Sequence, residues 1–184
     1  MQERRWRIRK AARSDRAALE RLIAASARGL SREHYSDAQV EGAIKTVFGV
    51  DTDLIDDGTY FVADSDGELI GCGGWSKRRN LFGGDHYPTR DSGELNPKTD
   101  SAKIRAFFIH PKHARKGIAR ALLDECERAA RAAGFRSLEL MATLPGIKFY
   151  EACGYQGAAP IELEVGDGVA IGLVPMSKEL SASK

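Results

Sequence analysis

Between residues 110 and 120 the chain reads His-Pro-Lys-His-Ala-Arg-Lys-Gly-Ile-Ala-Arg, with four Lys/Arg, two His and no carboxylate. Apolar residues from Leu122 through Cys126, Ala129 and Ala133 recur at helical spacing, and Gly134 supplies a C-terminal stop. The basic run therefore sits at a helix start. The four residues before Gly117 include no Ser, Thr, Asp or Asn to cap the first turn. Several backbone N–H groups there lack side-chain acceptors, and cations lie at the positive end of the helix dipole. An anion at that end removes both faults, and Gly117 would let it approach the backbone closely. Water on a solvated basic helix end accounts equally well for the charge taken alone. The missing cap, Gly117 and the apolar strand just before it favour a phosphate. No Walker lysine follows the glycine and no GxGxxG is present, so nucleotide hydrolysis and dinucleotide redox chemistry fit poorly.

The elements that must position this site follow from patterning. Trp6–Arg9 alternates as a short strand. Ser14 or Asp15 offers an N-cap to a helix whose stripe is Ala18, Leu19, Leu22, Ile23 and Ser26, and a second helix runs from Ser36 or Asp37 to Phe48. Residues 59–63 and 69–75 flank Asp64-Ser-Asp-Gly67 and read as a hairpin. Residues 76–101 are polar and rich in Gly and Pro; a loop of this length is usually functional or disordered. A strand at 102–109, the helix from Gly117, a strand at 138–142, a short helix around 147–150 and a hairpin over 161–176 complete the order. This is an α/β (α+β) chain with a central mixed sheet flanked by helices, and the strand–helix–strand from Ile104 to Met141 should be a parallel crossover.

The 184 residues favour one domain, placed at residues 1–177, with 178–184 as a flexible tail. No run reaches the roughly 20 apolar residues of a membrane span, and no apolar segment of a secretory signal follows the basic N-terminus. Lys+Arg of 28 against Asp+Glu of 26 leaves a net charge of +2, which argues against a dedicated nucleic-acid binder. Cys72, Cys126 and Cys153 form neither a disulfide framework nor a metal cluster, and they point to a reducing, cytoplasmic setting.

The segment from Ile104 to Leu123 resembles the fourth strand, Q/R-x-x-G-x-G/A pyrophosphate loop and third helix of the GCN5-related N-acetyltransferase (GNAT) family. Phe149-Tyr-Glu-Ala-Cys-Gly-Tyr155 is similar to that family's FYE-x-x-GF run. The resemblance implies a single GNAT-like acyl-CoA N-acyltransferase domain that moves an acetyl group from acetyl-CoA, with no metal, to a primary amine of a small molecule or peptide. It implies that backbone amides of Arg115, Lys116, Gly117, Ile118, Ala119 and Arg120 hold the pyrophosphate. The main chain of Phe107, Phe108 and Ile109 would pair with the pantetheine arm, which requires the fourth and fifth strands to splay. Tyr150 would be the acid that protonates the departing thiolate, and a backbone N–H near Phe108 would polarise the thioester carbonyl. Read without the resemblance, Tyr150 fills one face of a short helix.

Several positions depart from the family pattern. Ala114 and Ala119 are mild changes. Thr143 stands where many members place a cofactor-binding asparagine. Lys103 stands where many carry a glutamate base, so the base must come from elsewhere: Glu139, or Asp85 or His86 in the long loop. Glu139 reads equally well as an ion-paired strand residue. Trp75 and Arg78 (or Arg79) lie near where the family admits acceptors, and otherwise read as core and solvated surface; Tyr35 and Glu33 are similarly placed. A longer acyl group, or a non-catalytic acyl-CoA sensor, remains as an alternative. The expected partners are an amine acceptor and a second copy in a homodimer, with neither nucleic acid nor membrane.

Overall fold

The computed structural model describes residues 6–180. Its strands are β1 (Arg7–Lys10), β2 (Tyr60–Ser65), β3 (Glu68–Ser76), β4 (Ala102–Ile109), β5 (Ser137–Thr143), β6 (Gln156–Gly157), β7 (Ile161–Glu164) and β8 (Ala170–Glu179). The helices are α1 (Arg16–Leu30), α2 (Asp37–Thr46), α3 (Thr52–Asp56), α4 (Ile118–Ala132) and α5 (Ile147–Ala152). The strands form one sheet in the order β1-β2-β3-β4-β5-β8-β6, with β7 also on β8. Only β4 and β5 run parallel, joined through α4 as the crossover predicts. A mixed sheet flanked by helices is the architecture expected from the sequence.

Local chemistry explains most elements. Ser36 Oγ accepts from Gln39 N and Gln39 Oε1 accepts from Ser36 N, a reciprocal cap that starts α2. Asp66 and Gly67 both have positive φ, 52° and 90°, the primed turn that a tight hairpin between β2 and β3 requires. The stripe Leu19, Leu22, Ile23, Ser26 and Ala27 is the buried face of α1. Ile118, Leu122, Leu123, Cys126 and Ala130 are buried on α4. The sheet thus separates two cores: α4 and α5 pack on one face, α1 and α2 on the other.

Three features differ from the sequence reading. α3 follows Phe48 where the periodicity gives no element; it is one short turn, capped by Asp51 and anchored by buried Leu54. β6 adds two residues to the sheet edge. The boundary at residue 177 also moves: β8 continues to Glu179, which pairs with Ser137. Lys178 Nζ sits 2.8 Å from Glu127, and Leu180 is buried with its N–H on Arg136 O at 2.7 Å. Alternation in β8 persists past Met176, so the segment is drawn into the sheet. Residues 181–184 of the expected tail lie outside the described residues.

Candidate functional site

β4 and β5 pair only through Ala102 with Leu138 and Lys103 with Glu139. Beyond those two pairs the strands part, as the pantetheine expectation requires, and a cavity of about 890 Å³ opens between them. Phe107, Phe108 and Ile109 face it from β4, and Leu140, Met141 and Thr143 from β5. A bulge shapes the β4 wall. Cys72 and Gly74 of β3 pair with Phe108 and Arg105, so Ala106 and Phe107 together stand opposite the single Gly73. Ala106 has φ +56°, and the extra residue of such a bulge leaves main chain outside the ladder. Gly73 is required there, because a Cβ on it would come within 2.6 Å of the Phe107 ring. On the opposite face Phe108 meets Phe48 edge-on, with ring centroids 5.5 Å apart.

At one mouth of the cavity lies the start of α4. Gly117 occupies the N-cap with φ +81° and no side chain caps the turn. The first bond closing this turn runs from Ala121 N to Gly117 O, so the amides of Ile118, Ala119 and Arg120 have no partner within the helix. A Cβ on Gly117 would meet no atom within 4 Å. Arg115 also has positive φ, +61°. Arg120 Nη2 donates to Ala152 O at the end of α5, 3.1 Å away. Burial, then Lys116 and His110, push His113 below the usual histidine value, so it adds no charge near neutrality. These open amides, the clear space over Gly117 and the strand edge left by the splay fit an acidic diphosphate followed by a narrow amide-bearing arm.

Tyr150 projects from α5 between the rings of Phe107, Phe149 and Tyr155, with centroids 6.4, 5.0 and 5.7 Å away. It is buried yet lines the cavity, and among the described residues its hydroxyl has no hydrogen-bond partner. Burial holds its phenol well above the usual tyrosine value, so it stays protonated.

The other mouth is built by α1, α2 and the long loop. The loop is held in place, which its composition alone does not predict. Arg78 grips Asp57 with two bonds of 2.7 Å. Arg90 bridges Asp51 and Asp53 at 2.8 Å each. Asp85 accepts from the Thr52 hydroxyl and amide and pairs with Arg16. Burial alone would raise the Asp85 carboxyl, but those bonds reverse the effect and hold it below the usual range. Behind the loop, Arg105 Nη2 donates to Gly83 O, and Nη1 stands 2.7 Å from Asp51 Oδ2 without hydrogen-bond alignment.

Of the residues singled out from the sequence, Phe107, Phe108, Ile109, Arg115, Gly117, Ile118, Ala119, Arg120, Thr143 and Tyr150 converge on this cavity. Lys116 is exposed and does not face it. The Ile109 N–H is already engaged, donating to Ser26 Oγ at 3.1 Å. Four other side chains lie elsewhere. Glu139 shares the strand face of Met141 but sits where β4 and β5 still pair, directly against Lys103, before the cleft opens. Burial pushes the Lys103 ammonium below its ordinary value. Trp75 is core, edge-on to Phe135 at 6.0 Å, and Arg78 is spent on Asp57. Tyr35 ties α2 to the sheet, donating to Gly172 O and accepting from Leu144 N. Ser26, Phe48, Phe82, Gly83 and Arg105 are lining residues that the sequence does not flag as such. Ser26 alone left a trace there, a hydroxyl within an apolar helix stripe.

Residues 18–155 match the model of the Acetyltransferase (GNAT) family. No curated protein sequence matches the chain. Among solved structures it is similar to a GCN5-related N-acetyltransferase from Rhodopseudomonas palustris, at 19% identity and TM-score 0.70 over 95% of each chain. It is also similar to the PaiA N-acetyltransferase of Thermoplasma acidophilum in complex with coenzyme A, at 18% identity and TM-score 0.63 over 95% of this chain and 98% of that one. YncA of Salmonella typhimurium, solved with its cofactor acetyl-CoA, matches at 17% identity and TM-score 0.60 over 98% and 96%.

Proposed function

This chain belongs to the acetyltransferase (GNAT) family, and from that premise we propose that it transfers an acetyl group from acetyl-CoA to a primary amine of a small molecule or peptide by direct attack. The observation that carries the reading is one continuous cavity joining the uncapped start of α4 to the bulged edge of β4 and to Tyr150. Bound acetyl-CoA supplies a thioester already activated toward amines. The amides at 117–120 hold the diphosphate, with Arg115 and Arg120 adding positive charge. The β4 edge beyond Lys103 aligns the pantetheine arm, and main chain turned out at the Ala106–Phe107 bulge polarises the acetyl carbonyl. The rings of Phe107 and Phe149 exclude water beside Tyr150, whose Oη holds a proton for the leaving sulfur. The three cysteines are buried and unpaired, in keeping with a reducing, cytoplasmic setting.

A second reading has one observation in its favour. Glu139 is paired with Lys103 and no carboxylate lines the cavity among the described residues, as a non-catalytic acyl-CoA sensor would tolerate. Free-thiol release from acetyl-CoA across a panel of amines, amino acids and peptides separates the two. Turnover with any acceptor supports the transferase; acetyl-CoA binding without thiol release supports the sensor.

A further inference from the structure

The acceptor side of the cavity has an unusual chemical balance for a site that must receive an amine. Its apolar walls are Leu30 of α1, Val47 and Phe48 after α2, Phe82 of the loop, Phe108 of β4 and Leu173 of β8, with the hydroxyls of Ser26 and Ser31 as uncharged polar groups beside them. Among the described residues, the only ionisable side chain lining this side is Arg105. The cavity's other ionisable groups, His113, Arg115, Arg120, Lys148 and Tyr150, stand toward α4 and α5, and none is an acid of the carboxylate kind. The nearby carboxylates are committed to partners. Asp51 faces Arg105 and Arg90, Asp53 faces Arg90 and Ser92, and Asp85 faces Thr52, Arg16 and Arg90. Tyr60 of β2 lies beside the charge cluster around Arg105 as a neutral phenol and donates a hydrogen bond to Cys72 Sγ.

Moving an ammonium from water into such walls, with a guanidinium behind them and no anion to meet it, is strongly unfavourable. A neutral amine on an apolar body gains from the same walls. We propose that the acceptor is a primary amine carried on an aromatic or branched aliphatic group, which enters through the α1–α2 mouth already deprotonated, with no side chain acting as its base. The proposal rests on the transferase reading and narrows it to a substrate class. Polyamines and lysine-like amines, which carry a second ammonium, are excluded by the same physics.

The protons balance without an enzyme base. The amine gives its ammonium proton to bulk water on entry. Its nitrogen lone pair then forms the new C–N bond as the C–S bond breaks. The sulfur takes a proton from Tyr150 Oη, and the nitrogen sheds one through water that restores the phenol. One proton leaves nitrogen and one reaches sulfur, so none is owed to a carboxylate.

The test is thiol release by the full chain with phenethylamine, isoamylamine and spermidine over a range of pH. The apolar amines should exceed spermidine in kcat/KM by at least about tenfold. For each apolar amine kcat/KM should climb with pH to a plateau, with its midpoint at that amine's own pKa, and a less basic ring-bearing amine should move the midpoint down by the difference between the two pKa values. Leu30→Glu, at a half-exposed helix position that tolerates charge, should narrow the preference by bringing an anion to the mouth. A preference for spermidine, a midpoint that stays fixed as the amine changes, or a preference untouched by Leu30→Glu would each overturn the proposal while leaving the transferase reading intact. Silence with all three amines overturns the proposal, and thiol release across the wider panel of amino acids and peptides then decides the transferase reading.

Discussion

Replacing Gly117 probes the anion site at its narrowest point. The residue sits at φ +81°, where an L side chain costs roughly 1–2 kcal/mol. For a chain of this size each kcal/mol lowers the melting temperature by about 2–4 °C, so Gly117→Ala should melt roughly 2–8 °C below the parent without ligand, and Gly117→Glu less far below it. Nothing lies within 4 Å of the added Cβ, so backbone strain is the whole of the alanine effect, while in Gly117→Glu the carboxylate at the helix N-terminus offsets about 0.3–1 kcal/mol of it. Ligand separates the two variants. At about 100 times its Kd, acetyl-CoA should stabilise the parent by about 2.7 kcal/mol, a rise of roughly 5–11 °C. Gly117→Glu sets a carboxylate over the amides of the first α4 turn, where the diphosphate must lie, and should lose that rise. Gly117→Ala should keep part of it. S-acetylpantetheine, which lacks the diphosphate, should stabilise the parent and Gly117→Glu alike. Scanning fluorimetry with both donors reads all of this. A full acetyl-CoA shift retained by Gly117→Glu would refute the assignment of the uncapped turn as the phosphate site.

Tyr150→Phe keeps the ring contacts with Phe107 and Phe149 and removes only the proton donor, so kcat should fall by about 10²-fold or more while the acetyl-CoA KM holds; steady-state thiol release checks it. Gly73→Ala brings a Cβ within 2.6 Å of the Phe107 ring, and denaturant melts should show a loss of about 1–3 kcal/mol with a raised acetyl-CoA KM. Asp85 is held below the usual carboxylate range when folded. Its contribution is therefore full above that range and is lost as pH falls through it, so the melting temperature should drop below about pH 4. Asp85→Asn should lessen that acid dependence and expose residues 81–84 to proteolysis at neutral pH.

The sequence by itself determined what local rules control. The period of 3.6 placed the apolar stripes of α1 and α4, the Asp66-Gly67 turn set the β2–β3 register, and the want of a capping side chain before Gly117 left the start of α4 open. Each depends on residues a few positions apart; of the α4 stripe Leu122 and Cys126 are buried, Ala129 is half-buried and Ala133 is exposed, while Leu123 and Ala130 join the buried face. Tertiary structure decided everything that depends on where two distant segments stop touching. Glu139 and Met141 share a strand face, yet one is sealed against Lys103 and the other borders the cavity, because β4 and β5 part between them. Trp75 near the end of β3 and Arg78 just beyond it lie in a polar, aromatic stretch suited to a pocket. Packing on Phe135 and pairing with Asp57 turned both to structural use. The cavity walls away from α4 come from α1, the turn after α2, a loop pinned by ion pairs, β4 and β8. No spacing in the chain records that assembly, since apolar side chains carry no address until a fold brings them around a common void.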